Sequence, residues 1–148
     1  MDKLQVHSKC LALIESNISA IKLALQEAQD SANNETKSTA GDKHETGRAM
    51  AQLETEKLSA QLSEALKLMQ TLQQLNPTLK NEQVAFGSLV KTNQGNFYLS
   101  VSIGKVELEN LVCFCISQVS PIGKLMLTKK EKECFSLNGK NYVIEKII

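Results

Sequence analysis

The stretch LQVHSKCLALIESNISAIKLALQEA (residues 4–28) decides the fold of the first half of this chain. Its apolar residues return after three and then four positions, which is the pattern of a helix that packs along a partner helix. The series runs through Leu4, His7, Leu11, Ile14, Ile18, Ile21, Leu25, Ala28 and Ala32. His7 is the single polar side chain among them, and we interpret it as a buried histidine satisfied by a neighbour in preference to a metal ligand.

A second, looser series with the same spacing follows further along the chain. Its members are Leu58, Leu62, Ala65, Met69 and Leu72. Met50 and Leu53 precede this series and fall outside its register. The midpoint of residues 4–75 lies beside Gly41, so the two arms have equal lengths. The pattern therefore predicts an antiparallel α-helical coiled-coil hairpin over residues 1–76.

A hairpin with arms of about 35 residues would extend for roughly 50 Å, at 1.5 Å per residue. A pair of helices this long cannot bury its whole seam in a globular core, so we expect it to project from the protein. The spacing of the apolar residues is compatible with three roles for this hairpin. The hairpin could be a dimerisation coiled coil, a packing arm of a larger bundle, or an arm that reaches into a partner.

The polar stretch STAGDKHETGR (residues 38–48) lies between the two arms. Asp42 and Glu45 fit a capping box, in which Asp42 accepts a hydrogen bond from the main-chain N–H at the third helical position and Glu45 accepts one from the N–H of the cap residue itself. The same spacing puts their Cβ atoms roughly 5–6 Å apart, where two carboxylates can share a divalent cation. Mg²⁺ prefers about six oxygen ligands, so two carboxylates on a solvated tip need further ligands from a partner. Both interpretations stay open on the residues alone.

The composition changes after the second arm. All four Phe and both Tyr follow residue 85, and aromatic residues favour strands. Pro77 predicts a helix end, which makes residues 77–83 a linker and residues 84–148 a small sheet domain. The predicted strands are 84–92 and 95–103 in one hairpin, 111–119 as a central strand, and a terminal hairpin over 134–148 that turns at Asn138-Gly139. We therefore expect an α+β protein with a small antiparallel sheet and one short helix.

Charge and composition exclude several classes of function. The net charge is +1, so the chain as a whole is not attracted to nucleic acid or membrane by charge. No stretch is long and apolar enough for a membrane helix. The polar N-terminus has no apolar signal core, and we expect a cytoplasmic location. Cys113 and Cys115 would share one face of a strand, and we interpret them as core thiols because no fourth ligand at metal spacing is visible.

The segment SPIGKLMLTKK (residues 120–130) begins with Ser-Pro at a predicted helix start and includes a local run of lysines. It resembles the Ser-Pro-Ile-Gly-Lys/Arg-x-Leu-Leu-Gly-Lys-Lys segment in the C-terminal domain of the bacterial Gre transcript-cleavage factors, of the GreA and GreB type. GDKHE (residues 41–45) is similar to the Gly-Asp-x-x-Glu at the tip of their helical hairpin. The order of the parts also matches over essentially the whole chain. The chain departs from the Gre pattern at Lys43-His44, where the family has Leu-Ser, and at Thr128 and Lys132, where it has glycine.

The resemblance implies an FKBP-like sheet domain and a transcription elongation factor that is not itself an enzyme. Such a factor binds RNA polymerase, inserts its hairpin into the secondary channel, and stimulates the polymerase to cleave backtracked RNA at the 3′ end. By position, Asp42 and Glu45 would be the tip acids that assist this cleavage and share a Mg²⁺ ion with the polymerase in the complex. A monomer that contacts the nascent RNA only indirectly is expected.

The same resemblance assigns partner contacts to basic side chains in two places. These are Lys43, His44 and Arg48 around the tip, and Lys124, Lys129 and Lys130 in the sheet domain. On composition alone the second group is equally a solvated charged face. Two other functions also stay open, namely a Gre-like regulator that occupies the channel without stimulating cleavage and a structural coiled-coil adaptor. A self-sufficient metalloenzyme is disfavoured because its ligands are too few, and a prolyl isomerase rests on fold analogy alone.

Overall fold

The computed structural model describes residues 2–36 and 41–148, without the side chains of residues 34–45. Two long helices come first, followed by six strands and a short helix, which is the α+β order that the sequence predicts. The elements are α1 (Lys3–Thr36), α2 (Gly41–Gln74), β1 (Leu89–Thr92), β2 (Gly95–Ser100), β3 (Gly104–Leu108), β4 (Leu111–Ser117), α3 (Pro121–Met126), β5 (Cys134–Leu137) and β6 (Lys140–Ile147). Within the described ranges, no helix has the length and apolar character that crossing a membrane requires.

Contacts divide the chain into two compact units. The helical unit comprises Leu13–Met69, and the sheet unit comprises Met1–Ala12 together with Gln70–Ile148. The boundaries predicted at residues 76 and 84 follow secondary structure, whereas this division follows contacts. The difference arises because the first turns of α1 and the last turn of α2 belong to the sheet unit.

In the helical unit, each helix buries a single face. The buried side chains are Ile14, Ile18 and Ile21 in α1, and Leu58, Ala65 and Met69 in α2. Ile21 lines a shallow cavity together with Ala65 and Leu68, so the two helices lie side by side at this level. Only four residues separate α1 from α2, and they span at most roughly 14 Å. This connection is too short for parallel neighbours of 34 residues each, so the helices are antiparallel.

Burial confirms most of the predicted hairpin seam and corrects its start. Leu4 was expected in the seam, but half of its surface is exposed. The buried side chains in the first two turns of α1 are Lys3, Val6, His7 and Cys10. The buried face changes here because these turns pack in the sheet unit. The amino group of Lys3 donates hydrogen bonds to the main-chain oxygens of Leu79 and Ile148.

The six strands form one sheet in the order β3-β4-β2-β1-β6-β5. Four of the five neighbouring pairs are antiparallel, as predicted, but β2 and β4 run parallel, with Tyr98 opposite Cys115. The sequence did not predict the strand β3, which lies between β2 and β4 in the chain. The chain reverses direction before β3 and again after it, so β4 runs parallel to β2. Asn138 and Gly139 both have positive φ, which confirms the predicted turn between β5 and β6.

One face of the sheet carries a hydrophobic core that α3 covers. Phe97 and Leu99 of β2 pack there with Met126 of α3 and with side chains of β1, β5 and β6. Leu125 and Leu127 were expected to pack on the sheet. Leu127 does so in part, but Leu125 is 37% exposed and the fully buried residue is Met126. The correction reflects the start of this short helix at Pro121, which turns Met126 toward the core.

Candidate functional site

For the proposed tip residues Asp42 and Glu45, the structure describes the main chain but not the side chains. The main chain of Asp42 and Glu45 belongs to α2, which begins at Gly41. Their side chains, and those of Lys43 and His44, lie outside the described part. The metal-binding and catalytic roles of the two acids therefore remain predictions. Arg48 is described, and its side chain is exposed in the helical unit.

The segment of residues 120–132 is the best-defined candidate site. Ser120 is the N-cap of α3, and its hydroxyl oxygen accepts a hydrogen bond from the main-chain N–H of Gly123 at 3.1 Å. The same hydroxyl donates to the main-chain oxygen of Ser117 at 2.6 Å. Pro121 occupies the first turn, where its fixed φ suits a helix and its missing N–H costs nothing. The structure confirms the helix start predicted from Ser-Pro.

Gly123 has a packing role that a larger residue cannot fill. A Cβ atom built on Gly123 would lie 2.2 Å from the main-chain oxygen of Ser117 and 2.8 Å from the hydroxyl oxygen of Ser120. Because the first of these is a main-chain atom, it cannot rotate away. Glycine therefore permits the close approach of α3 to the residue that ends β4. Ile122, the remaining residue of the Ser-Pro-Ile-Gly sequence, packs partly against the core.

Thr128 and Lys132 have main-chain conformations that favour glycine. Their φ angles are 68° and 74°, in the left-handed region that side chains with a Cβ rarely adopt. Hydrogen bonds hold both residues in place: the N–H of Thr128 donates to the oxygen of Val84 at 2.8 Å, and that of Lys132 to the oxygen of Ile144 at 2.7 Å. These are the two positions at which the Gre segment has glycine. The main chain at both positions thus has a conformation that suits glycine, although neither residue is glycine.

Three lysines of this segment carry charge without a carboxylate partner among the described residues. Lys124 and Lys130 are exposed and Lys129 is half-buried. The ion pairs of the described residues involve other lysines. The main chain around them is fixed, since Val84 donates to the oxygen of Lys129 at 2.8 Å and Lys130 donates to the Glu133 carboxylate at 2.8 Å. The sheet unit thus presents a positively charged segment that suits acidic groups of a partner.

A groove borders the lysine segment. It has a volume of about 610 Å³ and lies between residues 80–86 and a second wall that includes Gln118, Leu127, Thr128 and Lys130. The first wall includes the end of the predicted linker, which is joined to the segment by an isolated bridge between Gln83 and Lys130. The linker is therefore a structural part of the sheet unit, and it forms one side of the groove beside Lys130.

The sequence did not reveal a buried polar cluster in the sheet unit. The Nδ1 atom of His7 lies 2.8 Å from the hydroxyl of Tyr98, which confirms a histidine satisfied by a neighbour. Burial and the nearby charge of Lys3 lower the pKa of His7. The sulfur atoms of Cys10 and Cys115 lie 3.0 Å apart. Cys10, Cys113 and Cys115 are buried, as expected of cysteines that pack in a core. Among the residues that the structure describes, no group of three potential metal ligands lies together.

No family model and no curated protein matches this chain. Among solved structures, the chain is similar to one described as the transcription factor Gfh1. The similarity covers 93% of this chain and 92% of that chain, with 16% sequence identity and a TM-score of 0.38. A similarity of this size assigns the chain to no family.

Proposed function

We propose that this chain is a transcription elongation factor of the Gre type. In this proposal, the sheet unit binds RNA polymerase, and the tip of the helical hairpin enters the secondary channel and stimulates cleavage of backtracked RNA. The observation that carries the proposal is the geometry of residues 120–132. Where the chain matches the Gre segment, Ser120 caps α3 and close packing requires Gly123. Where it differs, Thr128 and Lys132 have a main-chain conformation that favours glycine.

The charges of the sheet unit support a docking role. Lys124, Lys129 and Lys130 have no ion-pair partner among the described residues. Lys124 lies in the last turn of the capped helix α3, and Lys129 and Lys130 follow that helix. Surface lysines of this kind bind most strongly to a partner that supplies acidic groups, because complementary charges favour and orient association. We assign polymerase binding to these three lysines, with Arg48 as an auxiliary contact of the hairpin.

The cleavage chemistry would belong to the polymerase. Two carboxylates provide too few ligands for Mg²⁺, which prefers about six oxygen atoms. Asp42 and Glu45 would therefore complete a site whose other ligands are polymerase side chains, and the shared ion would position the attacking water. Lys43 and His44 would lie beside these acids, close to the RNA 3′ end.

The test uses a stalled, backtracked elongation complex of the polymerase from the same organism, with labelled RNA. Added wild-type protein should shorten the RNA faster than the polymerase alone. Asp42→Asn should abolish this gain but leave binding nearly intact. Replacing Lys124, Lys129 and Lys130 by Glu should abolish binding, and with it cleavage. Lys140→Glu is the matched control, because Lys140 is an exposed lysine of the sheet unit outside the segment.

A channel-occupying regulator is the second candidate, and the observation that favours it is the replacement of Leu-Ser by Lys43-His44. A cationic side chain between the two acids weakens their attraction for a metal ion. This candidate predicts tight binding, no added cleavage, and competition with a true cleavage factor. Equal cleavage by wild type and Asp42→Asn would remove the catalytic role of the acids. A dimer held by the helical seam, with no affinity for the polymerase, would instead indicate a structural adaptor.

A further inference from the structure

Two thiols from distant parts of the chain meet inside the sheet unit. Cys10 belongs to α1 and Cys115 to β4, and they are separated by 105 positions in the sequence. Their exposed fractions are 0% and 1%. The two sulfur atoms are 3.0 Å apart, and a disulfide bond requires about 2.05 Å. We propose that Cys10 and Cys115 form an intramolecular disulfide when the protein is oxidised by hydrogen peroxide.

The other two cysteines fit this reaction less well. Cys113 is hydrogen-bonded to Cys115, but the two lie two positions apart on the same strand. Residues at that spacing have Cα atoms roughly 6.7 Å apart, at the upper limit for a disulfide. Cys134 is exposed on β5, and its sulfur lies 3.9 Å from the main-chain oxygen of Lys132. The geometry therefore selects Cys10 as the partner of Cys115.

The oxidation balances with peroxide as the sole oxidant. The sulfur of Cys115 attacks one oxygen of hydrogen peroxide, the O–O bond breaks, and the thiol proton leaves with the second oxygen as water. Cys115 is then a sulfenic acid. The sulfur of Cys10 attacks this sulfur, the S–O bond breaks, and the hydroxyl leaves as a second water with the proton of Cys10. The two thiols lose two electrons in total, and the peroxide gains them.

The surroundings predict that the reaction is slow. At Cys115 the hydrogen bond with Cys10 lowers the pKa, but the hydrogen bond with Cys113 and burial raise it, to about 12. The hydrogen bond with Cys115 and burial raise the pKa of Cys10. Because the thiolate is the reactive form, few molecules react at neutral pH at any moment. Local opening of the first turns of α1 must also admit the peroxide. The pair should therefore respond to sustained oxidation only.

The disulfide would tie the first turns of α1 to β4. A cross-link between residues so far apart in the chain restricts the unfolded state strongly, so the oxidised protein should unfold at a higher temperature. The bond would also fix the buried face that carries Val6 and His7. This inference concerns the sheet unit alone and does not depend on the proposed function.

The experiment treats fully reduced wild-type protein with hydrogen peroxide for increasing times. Each sample is denatured, its remaining thiols are alkylated, and linked peptides are mapped by mass spectrometry. We expect the exposed Cys134 to react first, followed by loss of the Cys10 and Cys115 thiols. A Cys10–Cys115 linked peptide should appear, together with a higher unfolding temperature that a reductant reverses. Cys134→Ser and Cys113→Ala are the matched controls and should form the same link, whereas Cys10→Ala should not form it.

The wild-type map decides the proposal even if a buried variant fails to fold. A link between Cys113 and Cys115 in place of the Cys10–Cys115 link would overturn it. So would oxidation that leaves Cys10 and Cys115 as separate thiols or sulfinic acids after Cys134 has reacted completely.

Discussion

The α-carbon of Gly123 faces the main-chain oxygen of Ser117 so closely that no side chain fits between them. A Cβ atom would lie 2.2 Å from that oxygen. The contact joins the first turn of α3 to the last residue of β4, and Ser120 reinforces it by bonding to both residues. The position of Lys124 on the surface thus depends on a glycine that has no charge or chemistry of its own.

Gly123→Ala should destabilise the protein by about 2 kcal/mol, since the new methyl group overpacks a site bounded by main chain. Urea unfolding measures this difference. Leu125→Ala is the matched control in the same helix, and its effect should be smaller because Leu125 is 37% exposed. A Gly123→Ala variant as stable as the wild type would show that the contact is looser than described.

Thr128→Gly and Lys132→Gly should each stabilise the protein by about 0.5–1 kcal/mol. Glycine removes the strain of a positive φ, and part of that gain is lost to the greater freedom of glycine in the unfolded chain. The larger gain is expected at Thr128, because a branched Cβ is least compatible with this conformation. Asn138→Gly is the control, since asparagine tolerates its φ of 52°. Loss of stability in both variants would contradict the assignment of strain.

Stability should decrease as the pH falls below about 6.5, because His7 is buried in its neutral form. Burial and the charge of Lys3 lower its pKa in the folded protein below the ordinary value of 6.5. The unfolded chain therefore binds the proton first, and stability is lost between 6.5 and the lowered pKa. The slope can reach about 1.4 kcal/mol per pH unit for one proton.

Urea unfolding at several pH values measures this slope, which should flatten in His7→Gln. The protein has only one other histidine, His44, so the same series with His44→Gln reports any contribution from it. A slope that persists in His7→Gln and vanishes in His44→Gln would show that His44 causes the pH dependence, and it would contradict the prediction.

Ser100 and Ser88 are both buried, but replacing each by alanine should change the stability of the protein in opposite directions. The hydroxyl oxygen of Ser100 is buried without a hydrogen-bond partner among the described residues. That of Ser88 accepts a hydrogen bond from the N–H of Ala85 at 3.0 Å. Ser100→Ala should be neutral or stabilise by up to about 1 kcal/mol, whereas Ser88→Ala should destabilise by about 1 kcal/mol. Equal losses in thermal unfolding would show that Ser100 has a partner after all.

Local patterns predicted the parts of the fold that depend on neighbouring residues. The three–four spacing gave the buried faces of both helices, as at Ile14 and Leu58. Asn138-Gly139 identified its turn because few other residues tolerate two positive φ angles in succession. Ser120 and Pro121 marked the start of α3 for equally local reasons.

Long-range pairing escaped prediction because no local rule specifies it. The contact between Cys10 and Cys115, and the bond between His7 and Tyr98, each join positions about a hundred residues apart. The strand β3 was missed because Lys105 and Glu107 leave Val106 as its single fully buried apolar residue. The lysines and the tip acids of the candidate site were identified from the sequence. The positive φ angles of Thr128 and Lys132 became visible only in the main-chain geometry, because neither residue type predicts such a conformation.

The sheet unit combines the start of the chain with a segment that begins only at Gln70. This arrangement affects the order in which its parts are synthesised. The first turns of α1 leave the ribosome early, while β4, which covers Cys10, is translated 105 positions later. At bacterial or eukaryotic rates of 5–20 residues per second, this delay is roughly 5–20 s. During that interval Cys10 lacks Cys115, the β4 residue that it contacts in the folded protein, and translation arrested before β4 would leave this thiol uncovered for as long as the arrest lasts.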